Sequence, residues 1–288
     1  YLINKLNILI QKKLFHILAF LLSKLSLRTV HILGKYFGML YFLLSQRDYR
    51  VLKENIENCG LFKKANIPQA IKENTQELGK SILEALYIWS SSQGKAISLV
   101  KEIHGKKFLD KAEKAGKGII FLTPHLGCFE ITSIFYGANN PITIMYRKAR
   151  KKWVSDLMIK GRKKGLVNLA SADSMGLRKI LTALQRSEAI GILPDQVADK
   201  GQGEMADFFG RPAYTMVLTN KLIKRTEASI IMVYGERLKD GRGFDIHFKL
   251  INRKNMSTTL GLNKELELFI RKNPLQYYWS YDRFKKIK

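Results

Sequence analysis

From Gly118 onward, short runs rich in β-branched residues alternate with amphipathic stretches, and that rhythm constrains this chain more than any other feature. Candidate strands lie at 118–123, 141–146, 189–193, 229–234 and 244–250, and helical patterns occupy 127–137, 150–164, 174–186 and 214–226. Parallel strands need long crossovers, usually helices, so the alternation predicts an α/β fold: a mixed, largely parallel sheet flanked by helices. Residues 244–250 alternate apolar and polar side chains, as a half-exposed antiparallel edge strand does. Upstream, 47–115 reads as helical, with Pro68 near a helix start and Ile71, Leu78, Ile82, Leu83, Leu86 and Trp89 at helical spacing. No internal repeat or low-complexity linker appears.

The first 46 residues carry six lysines and arginines and no acidic residue, with apolar runs at 14–23 and 36–46. Neither run reaches the roughly 18 uncharged residues of a plain spanning helix. The first ends in Ser-Lys-Leu-Ser rather than a small-residue cleavage site, which argues against a secretory signal. A helix lying in a membrane interface fits best, its cations on anionic headgroups and its Leu, Ile and Phe in the acyl region. The competing readings are a short span with snorkelling Lys12, Lys13 and Lys24, and an amphipathic helix packed on the protein's own core. The expected organisation is therefore 1–46 as membrane-associating helices and 47–288 as an α/β body with a helical lead-in. The chain starts at Tyr1, so a few residues are expected to precede it.

Lys and Arg number 50 against 24 Asp and Glu, a formal net charge of +26. Such an excess calls for a polyanionic partner: nucleic acid, anionic membrane, phosphorylated lipid or an acidic protein. No zinc-finger spacing, RNP-like stretch or helix–turn–helix signal supports nucleic acid. Two cysteines, Cys59 and Cys128, make neither a disulfide framework nor a Cys-rich zinc site.

Three candidate strands run into reactive residues: the first into His125, the second into Arg147, the third into Asp195 and Gln196. In open α/β sheets ligands gather beyond the carboxyl ends of the strands, where parallel neighbours would bring these groups together. His125 and Glu130 are five residues apart, about 140° on a helix, so they meet only with His125 in the turn before a helix and Glu130 in its first turn. A carboxylate on one ring nitrogen fixes the tautomer and leaves the other nitrogen to take a proton from a hydroxyl. Cys128 has no second base beside it and reads as a small buried residue. Arg147 and Arg162 are candidate anion-binding groups, set within a run of nine basic residues from Arg147 to Lys164. Asp195 and Gln196 are candidate substrate contacts, with a helix N-cap the competing role for Asp195. Arg211, after Phe208-Phe209-Gly210, is a further candidate to line the site. His16, His31, His104 and His247 have no partner at metal-ligand spacing, so no metal site is expected. Five aromatics from Tyr277 to Phe284, with Arg283, Lys285, Lys286 and Lys288, read as an amphipathic closing element.

The His-x4-Glu block after an apolar strand resembles that of the glycerolipid acyltransferases. Thr123-Pro124-His125-Leu126-Gly127-Cys128-Phe129-Glu130 is most similar to the bacterial lipid A biosynthesis acyltransferases of the lauroyl and myristoyl type. The likeness continues through Tyr146-Arg147, Gly161-Arg162, Leu193-Pro194-Asp195-Gln196, Phe208 to Ala213 with Thr215, and Gln276-Tyr277-Tyr278-Trp279 followed by Arg283-Phe284-Lys285. It takes in Asn55-Ile56 and the 83–89 helix upstream, roughly residues 28–286 in all. Cys128 stands where Asn is common, and Lys148-Ala149-Arg150-Lys151-Lys152 replaces a stretch containing Pro and Asn. The resemblance implies His125 as general base, Glu130 as its orienting carboxylate, and Arg147, Arg162, Asp195, Gln196 and Arg211 as substrate-binding residues. It also implies an acyl chain moved from acyl carrier protein to a hydroxyl of a phosphorylated glycolipid, at the cytoplasmic face of an inner membrane. That chemistry requires no metal or bound cofactor.

Overall fold

The computed structural model describes residues 2–286, so Lys288 of the closing element lies outside the described residues. Four helices come first: α1 (Leu2–Lys24), α2 (Leu27–Leu44), α3 (Gln46–Asn58) and α4 (Ile67–Ser90). Ser26 caps α2 by accepting from the Thr29 N–H, and Pro68 sits in the first turn of α4, where its missing N–H costs nothing. The short α5 (Gln93–Ile97), β1 (Val100–His104) and α6 (Lys106–Ala115) lead into the alternating body. There follow β2 (Ile119–Leu122), α7 (Phe129–Tyr136), β3 (Ile142–Tyr146), α8 (Lys152–Arg162), β4 (Val167–Ser171), α9 (Ser174–Gln185) and β5 (Ala189–Ile192). Next come a hairpin of β6 (Gly203–Phe208) and β7 (Arg211–Met216), then α10 (Leu218–Arg225), β8 (Ser229–Arg237), β9 (Phe244–Leu250) and α11 (Thr259–Ile270).

Seven strands form one sheet in the order β1-β9-β8-β2-β5-β3-β4, parallel throughout except for the β8–β9 pair. Alternate residues of each strand feed opposite cores. Ile119 and Phe121 join Leu109 and Ala112 of α6 and Tyr136 of α7 on one face. Ile120 and Leu122 join Ile180 of α9, Leu222 of α10 and Phe269 of α11 on the other. A third cluster packs Val30 of α2 and Leu83, Tyr87 and Ile88 of α4 against Ile131 and Ile134 of α7, which seats the amino-terminal helices on the body.

Helices α2 and α4 cross almost backbone to backbone. A Cβ at Gly38 would lie 2.1 Å from the Thr75 carbonyl oxygen, and one at Gly79 would lie 2.2 Å from that of Gly34. Only glycine permits that approach. The buried stripe of α2 is consequently narrow, and its remaining surface exposes Ile32, Leu33, Tyr36, Leu40, Leu43 and Leu44. Helix α1 adds Leu14, Ile17, Leu18, Phe20 and Leu21. No helix among the described residues is long and apolar enough to cross a membrane.

Several expectations are corrected. Residues 100–104, read as helical, form β1, and 244–250 is not an edge strand because β1 pairs along its outer side in parallel. The helix expected at 214–226 begins only at Leu218, since 211–216 is the second strand of the hairpin. Its two-residue turn, Phe209-Gly210, has φ of 51° and 73°, both left-handed, the twist that closes tight hairpins. Strand β4 was not anticipated at all.

Candidate active site

His125 and Asp195 meet at the carboxyl edge of the sheet and Arg147 stands at the same edge without touching them, because β2, β5 and β3 are parallel neighbours in that order. His125 lies in the turn after β2, and Glu130 is the second residue of α7, as their spacing requires. Their partners differ from expectation. Asp195 Oδ1 is 2.7 Å from His125 Nδ1, and Asp195 Oδ2 accepts the His125 backbone N–H at 2.8 Å. Glu130 instead receives both Nε (2.8 Å) and Nη2 (2.5 Å) of Arg162. The carboxylate on the His125 ring is thus Asp195, and Glu130, expected there, belongs instead to a bidentate ion pair with Arg162. The reason is topological: adjacent strands bring the loop after β5 against the turn after β2, whereas α7 carries Glu130 away along its axis.

Asp195 is fully buried behind His125. Burial pushes its carboxyl up, but the His125 side chain and the backbone donors outweigh it and hold it below the ordinary range. No helix follows β5, so the N-cap role does not arise. With a proton on Nδ1 shared with Asp195, Nε2 presents its lone pair toward the Gln196 amide nitrogen, 3.2 Å away. Burial likewise pushes the Arg162 guanidinium down, and Glu130 more than compensates, so it stays charged. Its Nη1 has no protein acceptor among the described residues. Arg147 sits at the rim, half exposed, 3.3 Å from Asp199.

His125, Glu130, Arg147, Arg162 and Gln196 all line one cavity of about 640 Å³. Its apolar interior has a simple origin. Phe129, Thr132, Ser133 and Tyr136 recur at helical spacing and form one wall, while Ile142 and Ile144 alternate along β3 to form another. Between Phe121 and Ile144 in the same cross-strand row stands Gly191, and the Ile144 side chain leans over it into the space a larger residue would need. A Cβ there would lie 2.4 Å from Ile144 Cδ1. The deep end is closed by Tyr136 edge-on to Phe121, with ring centroids 4.8 Å apart.

Arg211 lies outside this cavity, donating to Glu54 and Asn55 of α3 and stacking 3.9 Å from the Phe284 ring. Cys128 is buried, and burial together with the nearby Glu84 carboxylate pushes its thiol well above the ordinary value, which leaves it inert as a nucleophile. Lys164, hidden in the basic run, is pushed down to about 8 by burial, partly offset by Glu130, and donates to the Ile88 and Trp89 carbonyls. His31 pairs with Glu84 and His247 with Glu236. His104 does gain acidic neighbours, Glu102 two residues back at 3.6 Å and Asp245, distant in sequence, at 3.4 Å, on a surface shared with Lys101 and Arg242.

With this geometry in view, similarity to known proteins is informative. Residues 4–286 match the family model described as bacterial lipid A biosynthesis acyltransferase. A lipid A biosynthesis palmitoleoyltransferase of Escherichia coli K12 is 24% identical over 262 residues, covering 88% of this chain and 84% of that protein. A lipid A biosynthesis lauroyltransferase of the same organism is 22% identical over 274 residues, 92% of this chain and 88% of the relative. A lipid A biosynthesis acyltransferase of Haemophilus influenzae is 26% identical over 182 residues, covering 62% of this chain and 57% of its own length.

Proposed function

The chain belongs to the bacterial lipid A biosynthesis acyltransferase family, and from that premise we propose that it moves a fatty acyl chain from acyl carrier protein to a hydroxyl of a phosphorylated lipid A precursor, with His125 as general base. The observation that carries this reading is the 2.7 Å contact between His125 Nδ1 and a buried Asp195, with Nε2 facing Gln196 at the wall of the cavity, where an acceptor hydroxyl would take the place of the Gln196 amide. His125 Nε2 takes the acceptor hydroxyl proton as the oxygen attacks the thioester carbonyl carbon, forming the new C–O bond. The C–S bond then breaks, and the imidazolium returns its proton to the departing thiolate. Asp195 stabilises the imidazolium between the two steps. Arg162, held flat by Glu130, offers Nη1 to the developing oxyanion or to an acceptor phosphate, and Arg147 meets anionic groups at the rim.

In this reading the acyl chain lies in the cavity between the α7 wall and Ile142 and Ile144 of β3, its tip against Tyr136 and Phe121. Each added methylene that finds room is worth about 0.8 kcal/mol, roughly fourfold in preference. Tyr136→Ala is expected to shift the preferred donor upward by about two carbons, by tenfold or more relative to wild type, in competition assays with mixed acyl-carrier thioesters. The decisive experiment incubates the full chain with acyl-carrier thioesters and tetraacylated disaccharide and reads product mass. Absence of any ester product removes the proposal.

The exposed apolar faces of α1 and α2 support attachment to the cytoplasmic face of the inner membrane, where basic residues would meet anionic headgroups. Leu43 and Leu44 are 76% and 74% exposed. The double change Leu43→Asp, Leu44→Asp is expected to lower partitioning onto anionic vesicles by about 10- to 100-fold in sedimentation. Unchanged partitioning would exclude this face as the contact.

A further inference from the structure

The His125–Asp195 bond joins two loops that leave neighbouring strands, and the direct β2–β5 pairing stops at the Thr123 N–H bond to the Ile192 carbonyl, short of both residues. A third segment touches both. The Gly127 N–H donates to the Gln276 carbonyl at 3.1 Å, and the Tyr278 N–H donates to the carbonyl of His125 itself at 3.1 Å, around an antiparallel bridge of Leu126 with Tyr277. Three residues further on, the Tyr281 hydroxyl accepts the Val197 N–H at 3.1 Å, two residues past Asp195. We propose that this carboxy-terminal strap, 276–281, is the positioning device of the His125–Asp195 pair, and that the Tyr281 hydroxyl, beside the bridge of Val197 to Thr215, is its hold on the Asp195 side.

The strap is itself held from the helical lead-in. Asn74 of α4 donates to the Leu275 and Tyr277 carbonyls at 2.7 and 2.9 Å, and Asn55 of α3 donates to those of Trp279 and Tyr281 at 2.8 and 3.1 Å. Beyond it, buried Arg283 donates to the Tyr214 carbonyl and Thr215 Oγ1, each at 2.7 Å. An irregular segment pinned at both ends, with its own carbonyls taken by two buried amides, is a fixed frame. Tyr277 and Tyr281 thus serve a geometric purpose, and Tyr281 acts through Asp195 without needing to touch substrate. Misplacing a general base by about 1 Å costs as much as 10²-fold in rate.

This inference rests on the acyl-transfer reading, so its test includes a measurement that needs no turnover. Tyr281→Phe keeps the ring and removes one acceptor. Expected are a kcat lower by about 10- to 100-fold, both KM values within twofold, and a Tm within about 2 °C of wild type. The low-field proton resonance of the His125 Nδ1–H bonded to Asp195 should broaden or vanish, as it must in Asp195→Asn. Wild-type kcat with an unaltered resonance in Tyr281→Phe overturns the proposal. So does a fall in kcat matched by a large fall in Tm, since the strap would then be merely structural. A wild-type protein that shows the resonance but transfers no acyl group overturns the functional reading alone.

Discussion

Asp195→Asn is expected to lower turnover by about 10²- to 10⁴-fold, close to the effect of His125→Ala, with the fold retained in both. The carboxylate accepts two hydrogen bonds at once, from the His125 backbone N–H and from Nδ1. An amide has one acceptor oxygen. If that oxygen stays on the backbone N–H, the NH₂ faces Nδ1 and forces the proton onto Nε2, where the base must be free. Steady-state rates with folded, monodisperse variants check this. Near-normal turnover in either one would remove His125 from the mechanism. Glu130→Gln should fail for a separate reason, the loss of one charge from the Arg162 pair, and it should leave the low-field His125 resonance intact.

The second large effect concerns stability. Arg237, at the end of β8, is buried and donates to Glu84 through Nε and Nη2, to Glu77 through Nη1, and to Ser81. Glu84 also receives His31 of α2 at 2.9 Å, so one guanidinium ties the sheet to two amino-terminal helices. Arg237→Met takes the guanidinium from two carboxylates, leaving Glu84 to His31 and Glu77 to Lys80, and is expected to cost about 3–5 kcal/mol in chemical denaturation. Burial pushes Glu84 up, but Arg237 and His31 outweigh it and hold it at about 2, against an ordinary 4.5. A depressed carboxylate contributes stability above its unfolded value and loses it as pH falls. Wild-type stability should therefore decline between about pH 4.5 and 2, and the slope in that window should flatten in Arg237→Met.

Much of this architecture was legible in the chain. Strands β2, β3, β5, β8 and β9 are short apolar runs between turn residues, and each was read within a few residues. Their convergence of His125, Arg147 and Asp195 followed from one rule about parallel sheets. What stayed hidden depended on neighbours distant in sequence. Val100–His104 is mostly exposed and pairs with residues some 140 positions later, so it has no local pattern to betray it. The hairpin at 203–216 was concealed because Arg211-Pro212 and the polar residues around it break strand alternation, and its turn puts Phe209, a residue that rarely adopts positive φ, beside Gly210. Glu130 was the nearest carboxylate to His125 along the chain, while Asp195, 70 residues away, is the one that strand order delivers. Arg211 shared the Phe-Phe-Gly-Arg block with residues near the site, yet its charge is spent on α3.

The glycine crossing of α2 on α4 has one more consequence. With no side chain between the two backbones, α2 would have little slack to tilt or slide if, as proposed above, its outer surface met lipid. Any bilayer that grips α2 would carry the whole body at a set height and angle, and Asn74 on that same α4 stands beneath the strap over His125. A glycolipid whose hydroxyl lies at a fixed depth below its headgroup would then be presented to the base without a search in the third dimension.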